Sequence, residues 1–214
     1  MKKLITSLLF VLISSTAFAQ DDGLKIHISV DLEGIAGAVT GEQLGTGGFE
    51  YQRFREFATA EALAAVEAAF EAGATEVLVA DSHGNGQNLL IEKFPENVKV
   101  IRSWPRKLGM VQGLEEGGFD GAIYIGYHSS TNYMSGVRAH TKSSADITSL
   151  KLNGKIAGES YFNAAIAGEY GTPVIMIRLS RKRRTASATW KGQWLSGIIA
   201  SIPQNLFIRL RRVN

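Results

Sequence analysis

The sequence contains no cysteine. That absence excludes disulfide bridges, zinc–thiolate sites and thiol nucleophiles together, so any metal centre has to be built from His, Asp and Glu. Histidine is itself scarce, with four in 214 residues. Beyond the N-terminus there is no segment long and apolar enough to span a bilayer. The loop after the first apolar strand, DLEGIAG, lacks the GxGxxG spacing of dinucleotide-binding turns, and its two carboxylates would repel phosphate. Acidic residues are missing from Arg178 onward. Nine of the 23 Lys and Arg fall in that stretch, which leaves 14 against all 20 Asp and Glu before it. The formal net charge of +3 therefore averages an acidic body of −6 with a purely basic tail.

What is present reads as one globular domain with a leader. Hydrophobic content of 45% and charged content of 20% are ordinary for a chain that buries a core. Lys2 and Lys3 precede a mostly apolar run, Leu4 to Ile13, and Ala17-Phe18-Ala19 fits a small-x-small cleavage pattern. Residues 1–19 are thus expected to be a signal peptide cleaved after Ala19, and the mature protein to be periplasmic or secreted. Gln20 in place of a cysteine argues against lipid anchoring there.

Residues 20–177 alternate strand and helix signals. KIHISV (25–30), Glu76–Ala80, Val98–Ile101, Gly121–Gly126, Ile147–Leu152 and Val174–Ile177 read as strands. Tyr51–Ala72 and Glu159–Glu169 read as helices, the first with apolar residues at helical spacing and Gly73 at its end. Strand, long helix, strand is a βαβ unit, which implies parallel neighbours and a right-handed crossover. The predicted fold is α/β, a mostly parallel sheet flanked by helices.

In such sheets ligands bind outside the carboxyl ends of the strands. Asp31 and Glu33 follow the first strand, His83 the next in VLVADSHG, and His128 the strand GAIYIG. Glu159 opens the helix after the Asn153-Gly154 turn. Asp31 and Glu33, two positions apart, project to one side of an extended chain. Carboxylates with imidazoles suit a zinc-like divalent ion, and an oxygen-rich set of this size can hold two ions that share a carboxylate. A metal pair of that kind performs hydrolysis. Each position alone has an ordinary explanation: a solvated turn for DxE, a first-turn helix carboxylate for Glu159. Asp81 reads either as a residue that orients a ligand imidazole or as a cap or turn residue. His27 lies inside a strand and reads as core.

The stretches SVDLEGIAG, VADSHG, GYHSS, RAHT and LNGKIAGES, in this order, resemble the D-aminopeptidase family of zinc peptidases over about residues 25–177. The resemblance implies a binuclear aminopeptidase acting on short peptides with N-terminal D-residues such as D-Ala. By that likeness Asp31, Glu33, His83, His128 and Glu159 match the ligands of two zinc ions per chain, with Asp31 bridging. His140 in RAHT matches the catalytic histidine. The family also implies a homo-oligomer, such as a ring-shaped decamer. Neither a nucleic-acid partner nor a membrane span is expected.

The likeness stops after PVIMI. Residues 178–214 match nothing in the family pattern, and the loss of every acidic residue reads as a reading-frame shift that replaces a second domain. The alternative is a genuine basic tail for anionic surfaces. Three functions therefore compete: an exported zinc D-aminopeptidase, another metal-dependent amidase or esterase on the same scaffold, and an inactive truncated product.

Overall fold

The computed structural model describes residues 23–179. The expected signal peptide and the basic tail beyond Leu179 lie outside the described residues.

Five strands form one parallel sheet: β1 (Leu24–Val30), β2 (Ala74–Asp81), β3 (Val98–Ile101), β4 (Gly121–Tyr127) and, last in the chain, a strand at Val174–Leu179. Between β4 and that last strand come a two-residue hairpin, β5 (Lys151–Leu152) and β6 (Lys155–Ile156), and a helix, so the last strand is β7. The spatial order is β3-β2-β1-β4-β7. Among the described residues the two α-helices are α1 (Tyr51–Glu71), which links β1 to β2, and α2 (Glu159–Glu169), which links β4 to β7. The mostly parallel α/β fold expected from the sequence is the one observed. No helix among the described residues is long and apolar enough to cross a membrane.

Alternation along the central strands divides the core. Ile26, Ile28 and Val30 of β1, with Val77 and Val79 of β2 and Ile123 and Ile125 of β4, pack under α1. α1 meets them with a stripe of mostly small residues, Tyr51, Phe54, Ala58, Ala62, Ala65, Val66 and Ala69. Phe57, which the helical spacing assigns to this face, is exposed. On the opposite face Leu78, Tyr124, Tyr127 and Ile177 pack with Met110, Val111, Leu114 and Ala167. Because both faces are covered, the strands read as near-continuous apolar runs rather than alternating ones.

One expected strand differs in kind, and others only in where they begin or end. Ile147–Leu152 is not one strand: Ile147 donates its N–H to Ser143 O in a turn, and only Lys151–Leu152 pairs, antiparallel with Lys155–Ile156. Asn153 and Gly154 both take positive φ, 51° and 78°, as the tight NG turn requires. β7 runs to Leu179, two residues past the end of the expected strand, and so includes Arg178.

The topology decides where a ligand can sit. From β1 the chain goes outward through β2 to β3, and from β4 it goes the other way to β7. The connections leave β1 and β4 toward opposite sides, which opens a crevice at their carboxyl ends.

Candidate metal centre

Every donor singled out in the sequence arrives at that crevice. Asp31 and Glu33 follow β1, His83 follows β2, His128 follows β4, Glu159 starts α2, and His140 comes from the loop after β4. Asp31, Glu33, His128 and Glu159 are all at most 5% exposed, which is costly for carboxylates unless something compensates their charge.

The approach of β1 and β4 that makes this possible depends on two glycines. Gly34 donates its N–H to Gly126 O at 2.6 Å. A Cβ on Gly34 would lie 2.0 Å from Tyr127 O, and one on Gly126, whose φ is +70°, would lie 2.0 Å from Asp31 O. Gly34 is there to let two backbones touch, not to turn the chain.

Each imidazole is oriented by a backbone carbonyl. His83 donates Nε2–H to Leu44 O at 2.7 Å and turns Nδ1 toward Glu33 Oε2 at 2.9 Å and Asp31 Oδ1 at 3.2 Å. His128 donates Nδ1–H to Ser129 O at 3.0 Å, which leaves Nε2 3.5 Å from Asp31 Oδ2 and 3.4 Å from Glu159 Oε1. His140 donates Nδ1–H to Arg138 O at 2.9 Å and stacks on His128, with ring centroids 3.9 Å apart at 8°. Its Nε2 faces Glu33 Oε1 at 3.7 Å and Glu159 Oε1 at 3.8 Å. A carbonyl on one ring nitrogen fixes the tautomer and turns the other into a donor for a cation. Glu159 is steadied in turn by Lys142 N–H, 2.7 Å from Oε1.

The donor atoms fall into sets that lie within 4.8 Å of one another: Asp31, Glu33 and His83; Asp31, His128 and Glu159; and Glu33, His128 and His140. The first two share Asp31. Asp31 Oδ2 and His128 Nε2 are buried and have no hydrogen-bond partner among the described residues, although they face each other. Their separation of 3.5 Å is too long for a good hydrogen bond and suits two atoms that hold a third between them. A nitrogen-and-oxygen donor set of this kind fits zinc.

Electrostatics show the strain of so many charges in one place. Burial, and then the charge of Glu33, push the Asp31 carboxyl up to about 8. Burial acts the same way on Glu33, but hydrogen bonding to His83 and the charge of that ring outweigh it and hold Glu33 well below the ordinary carboxylate range. Burial would lower both imidazoles. The bonds to Asp31 and Glu33 instead raise His83 to about 11, and Glu159 with Asp31 raises His128 to about 9. The pocket selects for positive charge.

Two readings of the sequence resolve here. His27 is core: it is fully buried, donates Nε2–H to Gln112 O at 3.0 Å and sits edge-on to Phe119. Asp81 does not touch an imidazole. Its carboxylate accepts Asn88 N–H at 2.5 Å, Asn88 Nδ2–H at 2.7 Å and Leu89 N–H at 2.8 Å, closing the 81–89 loop. Asn88 then donates to His83 O at 2.7 Å, so Asp81 places His83 indirectly. The carbonyls of Leu44, Ser129 and Arg138 escape any reading of side chains, because every residue has one.

The fold and donor set define the class: a parallel α/β protein with a histidine–carboxylate cluster able to hold a metal at its switch point. The chain belongs to the D-aminopeptidase family, whose profile matches residues 24–184. It is 36% identical over 154 residues to a D-aminopeptidase of Bacillus subtilis (strain 168), a match that covers 72% of this chain and 55% of that protein. Among solved structures it resembles a Bacillus subtilis protein described as the Zn-dependent D-aminopeptidase DppA, a self-compartmentalizing protease. That likeness has a TM-score of 0.65 at 34% identity, again over 72% of this chain and 55% of the other. The chain thus spans about half the length of the relatives it matches.

Proposed function

We propose that this chain carries the centre of an exported, zinc-dependent D-aminopeptidase that removes N-terminal D-residues such as D-Ala from short peptides or amides. The observation that carries this reading is the pair of donor sets joined at Asp31, with Asp31 Oδ2 and His128 Nε2 buried and unpartnered between them. In it Asp31, Glu33 and His83 would hold one zinc and Asp31, His128 and Glu159 the other. Zinc held there would supply an acidified water and polarisation of a peptide carbonyl.

The chain's own residues do the rest. Leu44 O and Ser129 O keep the lone pairs of His83 and His128 turned inward. His140 stands at the rim, its side chain 20% exposed against 12% for His83 and less for the carboxylates and His128. With Nδ1–H committed to Arg138 O, its Nε2 is the atom free to take a proton or to deliver one to the leaving amine. Export rests on the leader at 1–19, and homo-oligomer assembly, such as a decamer, on the relative described as self-compartmentalizing.

The test uses the mature protein. Elemental analysis should find about two zinc per chain. Hydrolysis of D-aminoacyl amides should exceed that of L-aminoacyl amides and of esters, and should stop on chelation. His83→Ala should lose both metal and turnover. Full turnover by His83→Ala would exclude the metal reading, and a preference for esters would move the chain to a different hydrolase class.

A further inference from the structure

The loop that delivers Asp31 and Glu33 is tethered by two residues that have no place in the donor set. Arg178, near the end of β7, donates Nη1–H to Gly34 O at 2.8 Å across 144 positions of sequence. The same guanidinium faces Glu61 on α1. Nη2 donates to Oε1 at 3.3 Å, and Nε lies 3.1 Å from Oε2. Glu61 Oε1 also accepts Ala36 N–H at 2.9 Å. Gly34 is therefore held through its N–H by Gly126 O and through its C=O by Arg178, directly after Glu33. Ala36 is held two residues further on.

We propose that Arg178 and Glu61 are positioning residues for the metal centre. Their ion pair joins α1 and β7 to the loop at 31–37 and fixes the direction in which the Asp31 and Glu33 carboxylates point. This rests on the zinc reading given above. The planar fork of arginine can meet a carboxylate and a carbonyl at once, which a lysine cannot reproduce. The two side chains are 28% and 20% exposed. A pair this accessible contributes little to global stability. A partner that orients a ligand typically matters 10- to 100-fold in metal affinity. The two effects separate in one experiment.

The full chain is stripped of metal and titrated with Co²⁺, followed by its visible absorption, alongside Arg178→Met, Arg178→Lys and Glu61→Gln. Lys25→Met serves as reference, since it removes ion pairs with Glu76 at 3.3 Å and Glu116 at 3.5 Å at the opposite end of the sheet. Arg178→Met and Glu61→Gln should bind Co²⁺ roughly 10- to 100-fold more weakly with an altered spectrum, and Arg178→Lys should restore only part of the loss. Lys25→Met should stay within about twofold of the parent. Unchanged affinity and spectrum in Arg178→Met overturn the proposal, as does an equal loss in Lys25→Met. If Arg178→Met does not fold, Glu61→Gln decides, because it keeps an acceptor for Ala36 N–H. A parent chain that binds no Co²⁺ overturns the zinc reading and this proposal with it, and that result is read before any variant is made.

Discussion

Replacing Gly34 with alanine adds one methyl group at the point where β1 and β4 cross into the site. The added Cβ would stand 2.0 Å from Tyr127 O, 2.7 Å from Gly126 C and 2.8 Å from Gly126 O, all backbone atoms that no rotamer change can move. Real Cβ contacts essentially never fall below 3.0 Å, so the segments must separate by about 1 Å. The separation breaks the 2.6 Å bond from Gly34 N–H to Gly126 O and carries Asp31 and Glu33 away from His128. Losing a buried hydrogen bond costs about 1 kcal/mol, and forcing atoms into a packed region about 1–3 kcal/mol. The sum is roughly 2–4 kcal/mol, or about 5–15 °C in Tm for a chain of this size. A displacement of about 1 Å in a catalytic constellation costs on the order of 100-fold in rate. The assay is thermal unfolding beside kcat/KM on a D-alanyl amide, with Gly41→Ala as control, because nothing lies within 4 Å of a Cβ there. If Gly34→Ala matches Gly41→Ala in both, the crossing does not position the site.

Other substitutions probe separate parts of the molecule. His140→Ala should keep the metal held by the two sets that share Asp31 while kcat falls about 100- to 10,000-fold, the range for loss of a general acid–base; loss of zinc along with activity would make His140 a structural donor instead. His27 tests the core. Burial lowers its pKa from 6.5 to about 4, so the unfolded chain takes up a proton from pH 6.5 downward while the folded chain stays neutral until about pH 4. Stability is complete above pH 6.5 and declines through that window by about 3 kcal/mol from this residue. Denaturant unfolding of His27→Leu should show a correspondingly flatter pH dependence between pH 6.5 and 4, and parallel curves for the two proteins would refute the assignment.

Much of the site was legible because its chemistry sits in short stretches. An apolar run that stops at DLEG, DSHG or YHSS marks a strand end, and polar groups at strand ends of a parallel sheet meet at one edge. Periodicity also placed α1 and with it the βαβ connection, and alanine-rich composition placed α2, since those follow from neighbours in sequence. The segment around Ile147 misled because its apolar residues suit an extended chain while its Ser and Asp residues form local turn bonds.

What the amino-acid sequence determined by itself is the alternation of elements, the donor types available without cysteine, and their delivery to strand ends. Tertiary structure decided which ends meet. Pairing β1 with both β2 and β4 put Asp31 between His83 and His128, and that pairing is a sum of long-range contacts with no local signature. The crossing of Gly34 over Gly126, the stacking of His140 on His128 and the reach of Arg178 to Gly34 depend on distances set only when the sheet has closed. Backbone carbonyls, identical at every residue, acquire their role as imidazole partners only through position in space.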